Sequence, residues 1–214
     1  MATLLHLNVS PRGDTSTSRR AGQIVRAQLA TQLAALKGAD GGLVVLERDL
    51  AADPLPPIGA AFTDANMAVA AGRDDADPAA LALSETLIDE LEAADIVLIT
   101  TPMHNFTVPA TLKTWIDLVV RPQRTFVSTS QGKHALLRDR PVLAVVSCGG
   151  RFDDGPTSQQ DFFTPYLKYV MGTMGLTRVE VVRMENMTRG ADHLARSFER
   201  LHAWCESSMP ALLA

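Results

Sequence analysis

The chain has 214 residues, 46% hydrophobic and 21% charged, which suits one sizeable globular core and excludes a disordered or fibrous class. A formal charge of −4 with no evident basic cluster argues against nucleic acid as a partner. Two cysteines, Cys148 and Cys205, make neither a disulfide framework nor a CxxC pair, no signal-like start is present, and no run nears the ~18 apolar residues of a membrane span, so the expectation is a cytoplasmic protein away from membranes.

In chain order, Thr3 to Val9 reads as a nearly continuous apolar strand, buried on both faces as in a parallel sheet. A hydroxyl-rich loop, Ser10 to Ser18, leads to a helix with Ile24, Val25, Leu29, Leu33 and Leu36 on one side and glycine at its end. Leu43 to Leu50 is the second strand. Ala60 to Gly72 reads as a short helix. The acidic run Asp74-Asp75-Ala76-Asp77, with Pro78 as first helical residue, reads as a solvated helix start rather than a metal site. Leu81, Leu83, Leu87, Ile88 and Leu91 mark that helix.

The third strand runs from Asp95 to Thr100, followed by Thr101-Pro102-Met103-His104-Asn105-Phe106-Thr107-Val108-Pro109 and a helix from Ala110. Arg121 to Arg140 reads as irregular, and long structureless segments are usually functional. Pro141 to Ser147 is the fourth strand, with Cys148-Gly149-Gly150-Arg151-Phe152 in its loop. Thr164-Pro165 reads as the N-cap and first turn of a helix through Met174, Arg178 to Met184 as an edge strand, and Asp192 to Met209 as a last helix carrying His193 and His202 toward solvent or packing. Alternation of strands and helices over 1–214 predicts one α/β domain with a parallel sheet and helices on both faces.

Three loops would then share the carboxyl edge of the sheet, where ligands bind in this architecture. The first places Ser10, Ser16, Thr17 and Ser18 at a helix N-terminus, a geometry that favours a phosphate. It is neither a Walker A loop nor a GxGxxG fingerprint. In the second, Pro102 and Pro109 stiffen the path, the Asn105 amide can donate to and accept from a heterocycle, and Met103, His104 and Phe106 offer surface to a ring. In the third, Ser147-Cys148-Gly149-Gly150 lets backbone approach a planar ligand. Each loop alone is equally a polar or packed turn.

Other chemistries fail on spacing. There is no Gly-x-Ser-x-Gly elbow and no His-Glu-x-x-His. A Cys-x5-Arg phosphatase loop is excluded because Asp154 stands where the arginine belongs, so Cys148 reads as inert or ligand-adjacent rather than nucleophilic.

Met103-His104-Asn105-Phe106, Leu112-Lys113-Thr114-Trp115-Ile116-Asp117 and Phe126 resemble the FMN-dependent NADH azoreductases, also called NADH:quinone oxidoreductases. Ser10-Pro11-Arg12-Gly13 with Ser16 to Ser18, Ser147 to Gly150 with Asp154-Gly155-Pro156-Thr157, and Thr164-Pro165-Tyr166-Leu167 fit the same family. The resemblance implies a flavodoxin-like fold with five parallel strands in the order 2-1-3-4-5, a homodimer, and one noncovalent FMN per subunit. It implies that Ser10, Ser16, Thr17 and Ser18 hold the phosphate and ribityl end. Pro102, Met103, His104, Asn105, Phe106, Ser147, Cys148, Gly149 and Gly150 would then contact the ring. It further implies His104, Phe126 and Phe152 around a substrate pocket, NADH or NADPH as donor, quinones or azo compounds as acceptors, and no protein acid or base. The family often has tyrosine at His104 and arginine at Cys148, so those two positions would tune substrate range. A flavodoxin-like carrier or regulatory FMN binder without turnover is the alternative, as is a protein of this fold with a structural role.

Overall fold

The computed structural model describes residues 1–38, 41–152, 155 and 157–213. In chain order its elements are β1 (Ala2–Asn8), α1 (Thr17–Lys37), β2 (Leu43–Asp49), α2 (Ala60–Ala70), α3 (Pro78–Ala93), β3 (Ile96–Pro102) and α4 (Ala110–Val119). Then follow β4 (Phe126–Thr129), β5 (Gly132–Ala135), β6 (Val142–Ser147), α5 (Phe163–Met174), β7 (Val179–Met184), α6 (Ala191–Ser207) and α7 (Met209–Leu213).

Strands form where apolar runs are densest. Five of them make one parallel sheet in the order β2-β1-β3-β6-β7. Numbered within that sheet alone, this is the expected 2-1-3-4-5. The period-2 alternation of the central strands sends side chains to two cores. Leu5, Leu7, Val97, Ile99, Val142, Ala144 and Val146 pack under α3, α4 and α5. Leu4, Ile96, Leu98, Leu143 and Val145 pack under α1 and α6. Both faces of β1, β3 and β6 are therefore covered, whereas β2 and β7 at the edges are only half-buried.

The helix ends follow local chemistry. Ser16 caps α1 by accepting from the Arg19 N–H at 3.3 Å, and Asp77 caps α3 by accepting from Ala79 with Pro78 at the first position. The buried Arg140 guanidinium donates to the Leu91, Glu92 and Ala94 carbonyls, closing the C-terminal end of α3. Among the described residues no helix is long and apolar enough to cross a membrane.

Three expectations need correction. Arg121 to Arg140 is not irregular: it holds the antiparallel hairpin β4–β5. α5 does not open on a Thr164 cap. Asp161 Oδ1 accepts from the N–H groups of Phe163 and Thr164, both at 2.9 Å, and the helix starts at Phe163, two residues before Pro165. The last helix also breaks at Ser208, giving α6 and the short α7. Asp153, Asp154 and Pro156, expected in the loop after β6, lie outside the described residues.

Candidate functional site

Because β1, β3 and β6 are parallel neighbours, the loops that follow them open at one sheet edge. The chain reverses direction across the sheet between β1 and β3, where such folds place ligands.

The loop after β1 is held from below. Ser10 and Ser16 are almost fully buried and Ser18 is fully buried, with Ser16 Oγ 3.1 Å from Ser18 Oγ. Gly13 takes a left-handed φ of 51° in the single 3-10 turn that folds the loop back toward α1. Arg19 clamps this turn. Its Nε and Nη2 donate to the Ser10 carbonyl at 3.1 and 2.9 Å, and its fork grips both oxygens of Asp49 at 2.6 and 2.8 Å. Burial raises the Asp49 carboxyl, but the Arg19 hydrogen bond and the N–H groups of Ala52 and Ala51 outweigh it and hold the group below its usual value. With the Arg19 N–H already on Ser16, the first N–H groups of α1 and the nearby hydroxyls are the donors a phosphate would use.

Beneath this loop lies a polar network. Thr100 Oγ1 donates to Asn8 Oδ1 at 2.7 Å and lies 3.1 Å from His6 Nε2, while Asn8 Nδ2 donates to Glu47 at 2.8 Å. The network ties the carboxyl ends of β2, β1 and β3 together. Gly22 of α1 lies against it: a Cβ there would sit 2.5 Å from the Thr100 methyl and 3.1 Å from the His6 ring. The absence of a side chain lets α1 approach the sheet this closely.

The loop after β3 is a tight turn. His104 and Thr107 exchange both backbone hydrogen bonds, at 3.1 and 3.0 Å. The two residues between them, Asn105 and Phe106, have φ of 45° and 72°, the sign pattern of a type I′ turn. Positive φ is unusual for a bulky residue such as phenylalanine and costs on the order of 1–3 kcal/mol. Phe106 nevertheless stays 46% exposed, so packing of its own ring does not explain the strain. The turn is pinned instead by its neighbours: the Met103 N–H donates to the Ser147 carbonyl at 2.9 Å and the Phe162 N–H to the Phe106 carbonyl at 3.2 Å.

Between this turn and the loop after β6 is an open cleft of about 170 Å³, lined by Met103, Asn105, Phe106, Cys148, Gly149, Gly150, Phe152 and Gln159. It brings together residues from the second and third predicted loops, with Phe152. His104 is exposed on the same turn, and Pro102 and Ser147 pair across the ends of β3 and β6. The Cys148 thiol is buried, 3.7 Å from the Val146 carbonyl, and burial first, then the Glu185 charge, push its pKa up to about 12. It is no nucleophile near neutral pH. Phe126 does not line this cleft. It stands at the start of the hairpin with the Lys133 ammonium 4.4 Å from its ring centre. The Leu137 N–H donates to the Met174 carbonyl at the C-terminal end of α5, tying the hairpin there.

The sequence reading missed His6, Asn8, Arg19, Gly22 and Asp49. A histidine and an asparagine inside an otherwise apolar strand were the available signal. The Arg19–Asp49 pairing across 30 residues had none.

The residues present suit a flavin mononucleotide. Buried hydroxyls and the first-turn N–H groups of α1 offer a phosphate its donors. At the ends of the next two strands, β3 and β6, a shallow cleft with glycine backbone on one side and a strained turn on the other suits one edge of a flat ring.

A family model described as having a flavodoxin-like fold matches residues 2–207. The chain is 62% identical over 207 residues to FMN-dependent NADH:quinone oxidoreductase 2 of Cupriavidus pinatubonensis, covering 97% of both chains. It is 42% identical to FMN-dependent NADH:quinone oxidoreductase 4 of Pseudomonas fluorescens, over 89% of this chain and 87% of that one. Among solved structures, an azoreductase from Bacillus anthracis superposes with a TM-score of 0.79 at 23% identity, over 96% of this chain and 99% of that one, a likeness of fold. With a family model across nearly its whole length and relatives this similar, the chain belongs to the FMN-dependent NADH:quinone oxidoreductase family of flavodoxin-like fold.

Proposed function

We propose that the protein binds one FMN per subunit of a cytoplasmic homodimer and moves two electrons from NADH or NADPH to quinones. The observation that carries the reading is the pairing of a clamped, hydroxyl-lined helix N-terminus with a strained cleft on the neighbouring strands of one sheet edge. The 62% identity to a protein named for FMN, NADH and quinone supports the same assignment.

In this reading Ser10, Ser16, Thr17 and Ser18 hold the phosphate end. Pro102, Met103, His104, Asn105 and Phe106 hold one side of the ring, and Ser147, Cys148, Gly149 and Gly150 the other. When bound, FMN supplies the two-electron chemistry, and the protein supplies binding, orientation and electrostatics. No side chain is needed as an acid or base. The carboxamide of Asn105 and the backbone of Gly149 and Gly150 present hydrogen-bonding groups to the ring edge. His104 and Phe152 border the space left for donor and acceptor. Donor and acceptor use the same face in turn, a ping-pong sequence. An aromatic azo bond takes two such rounds, two electrons and two protons each, to give two amines.

Initial rates of NADH and NADPH oxidation, measured with added FMN against a quinone and an azo dye, test this. Turnover with parallel double-reciprocal lines is expected. Intersecting lines overturn the ping-pong order, and an FMN-loaded protein with no turnover is an electron carrier instead.

A further inference from the structure

A second cavity, of about 540 Å³, lies beside the cleft. It is lined by Arg151, Thr157, Arg183, Glu185, Asn186, Arg189, His193, Arg196 and Arg200. The linings of the two cavities are joined by hydrogen bonds. The turn between β7 and α6 is stitched to the loop after β6: Asn186 N–H donates to Gly150 O and Met187 N–H to Cys148 O, both at 3.0 Å. Thr188 Oγ1 donates to Gly149 O at 3.4 Å.

No basic cluster is evident along the sequence, but the fold makes one. Residues 189, 193, 196 and 200 follow a helical spacing of four, three and four, so the turn before α6 and one face of α6 carry three arginines and a histidine into the same cavity. The charges are unevenly compensated. Arg183 pairs with Asp161 at 2.9 Å and Glu185 at 3.2 Å, and Glu185 is thereby engaged. Arg151 already has a partner. Among the described residues Arg189 and Arg196 make no ion pair, and Arg200 donates only to the Ser197 hydroxyl at 2.8 Å. A chain of net charge −4 thus concentrates positive potential at one open cavity next to its candidate ring site. Guanidinium forks fit the paired oxygens of phosphate groups, and three of them around one cavity fit a group with more than one phosphate.

We propose that this cavity binds a diphosphate group, carried by the dinucleotide donor whose nicotinamide end uses the neighbouring cleft. The diphosphate site stands on the arginines alone; its assignment to the donor rests on the flavin reading above.

Calorimetric titration of the FMN-loaded protein with inorganic pyrophosphate reads the site directly. Saturable binding is expected, weaker at high salt and lowered about tenfold or more in the Arg189→Ala/Arg196→Ala variant, whose replaced side chains are exposed. Absent binding, or binding equal in the variant, overturns the proposal. The source is separated by kinetics. Competition between pyrophosphate and NADH, with the NADH KM raised several-fold in the variant and kcat held, assigns the group to the donor. Pyrophosphate binding with an unchanged NADH KM overturns that assignment and leaves free diphosphate as the ligand. A protein that takes up no FMN yet binds pyrophosphate through these arginines upholds the cavity and refutes the flavin reading.

Discussion

His6 carries no formal charge where it sits. Burial first, then the Arg26 and Arg19 charges, lower its pKa from 6.5 to about 4, and its Nδ1 has no partner among the described residues. The folded state therefore resists a proton that the unfolded chain accepts. The stability linked to His6 is full above pH 6.5 and is lost as pH falls toward 4, by about 3 kcal/mol across that window. Urea midpoints at pH 7, 5.5 and 4.5 check this. The expected result is a steeper acid loss in the wild type than in His6→Gln, and equal slopes would contradict it. At this scale the sequence was only partly legible. Ser10, Ser16 and Ser18 announced themselves as a clustered hydroxyl loop, since a helix N-terminus is readable from a few adjacent residues. Arg19, Asp49 and His6 act through contacts between distant segments, which no local pattern encodes.

Between elements, the segment 121–140 is held by its root. Its sequence lacks alternating apolar residues because every residue of β5 is exposed, so nothing marks Gly132-Lys133-His134-Ala135 as a strand. What fixes the hairpin is its root. Arg121, buried to 2% exposure, donates to Glu85 at 2.6 Å and to Ser84 at 3.2 Å. Arg124 grips Glu85 at 2.7 Å as well as Asp89 and Glu92. Glu85→Ala leaves the Arg121 guanidinium buried without its carboxylate. Discounted for the 38% exposure of Glu85, the loss is about 1–2 kcal/mol. A lowered thermal midpoint and faster proteolytic nicking at 121–137 are expected in that variant; an unchanged midpoint would show that the ion pairs do not anchor the hairpin. By contrast β1, β3 and β6 were legible because burial on both faces demands unbroken apolar runs, and the α5 start was misread because its capping carboxylate, Asp161, lies three residues before Thr164.

Across the whole molecule, the sheet order follows from alternating strands and helices, and that order puts three loops from distant parts of the chain at one edge. The same topology brings the β7–α6 turn behind the loop after β6, which is why a basic cavity emerges from arginines scattered over 151–200. The helix N-terminus proposed for the phosphate, the strained cleft proposed for the ring and the arginine-lined cavity then lie along one rim. A cofactor and its dinucleotide donor would meet along such a rim. The central claim is that the first two of these features hold FMN in a form that a nicotinamide donor can reduce. Anaerobic titration of the purified protein with FMN, followed by NADH, tests it most directly. Saturation at about one FMN per chain and loss of the yellow flavin colour on adding NADH are expected. A protein that takes up no FMN, or whose bound flavin stays oxidised under NADH, would contradict it.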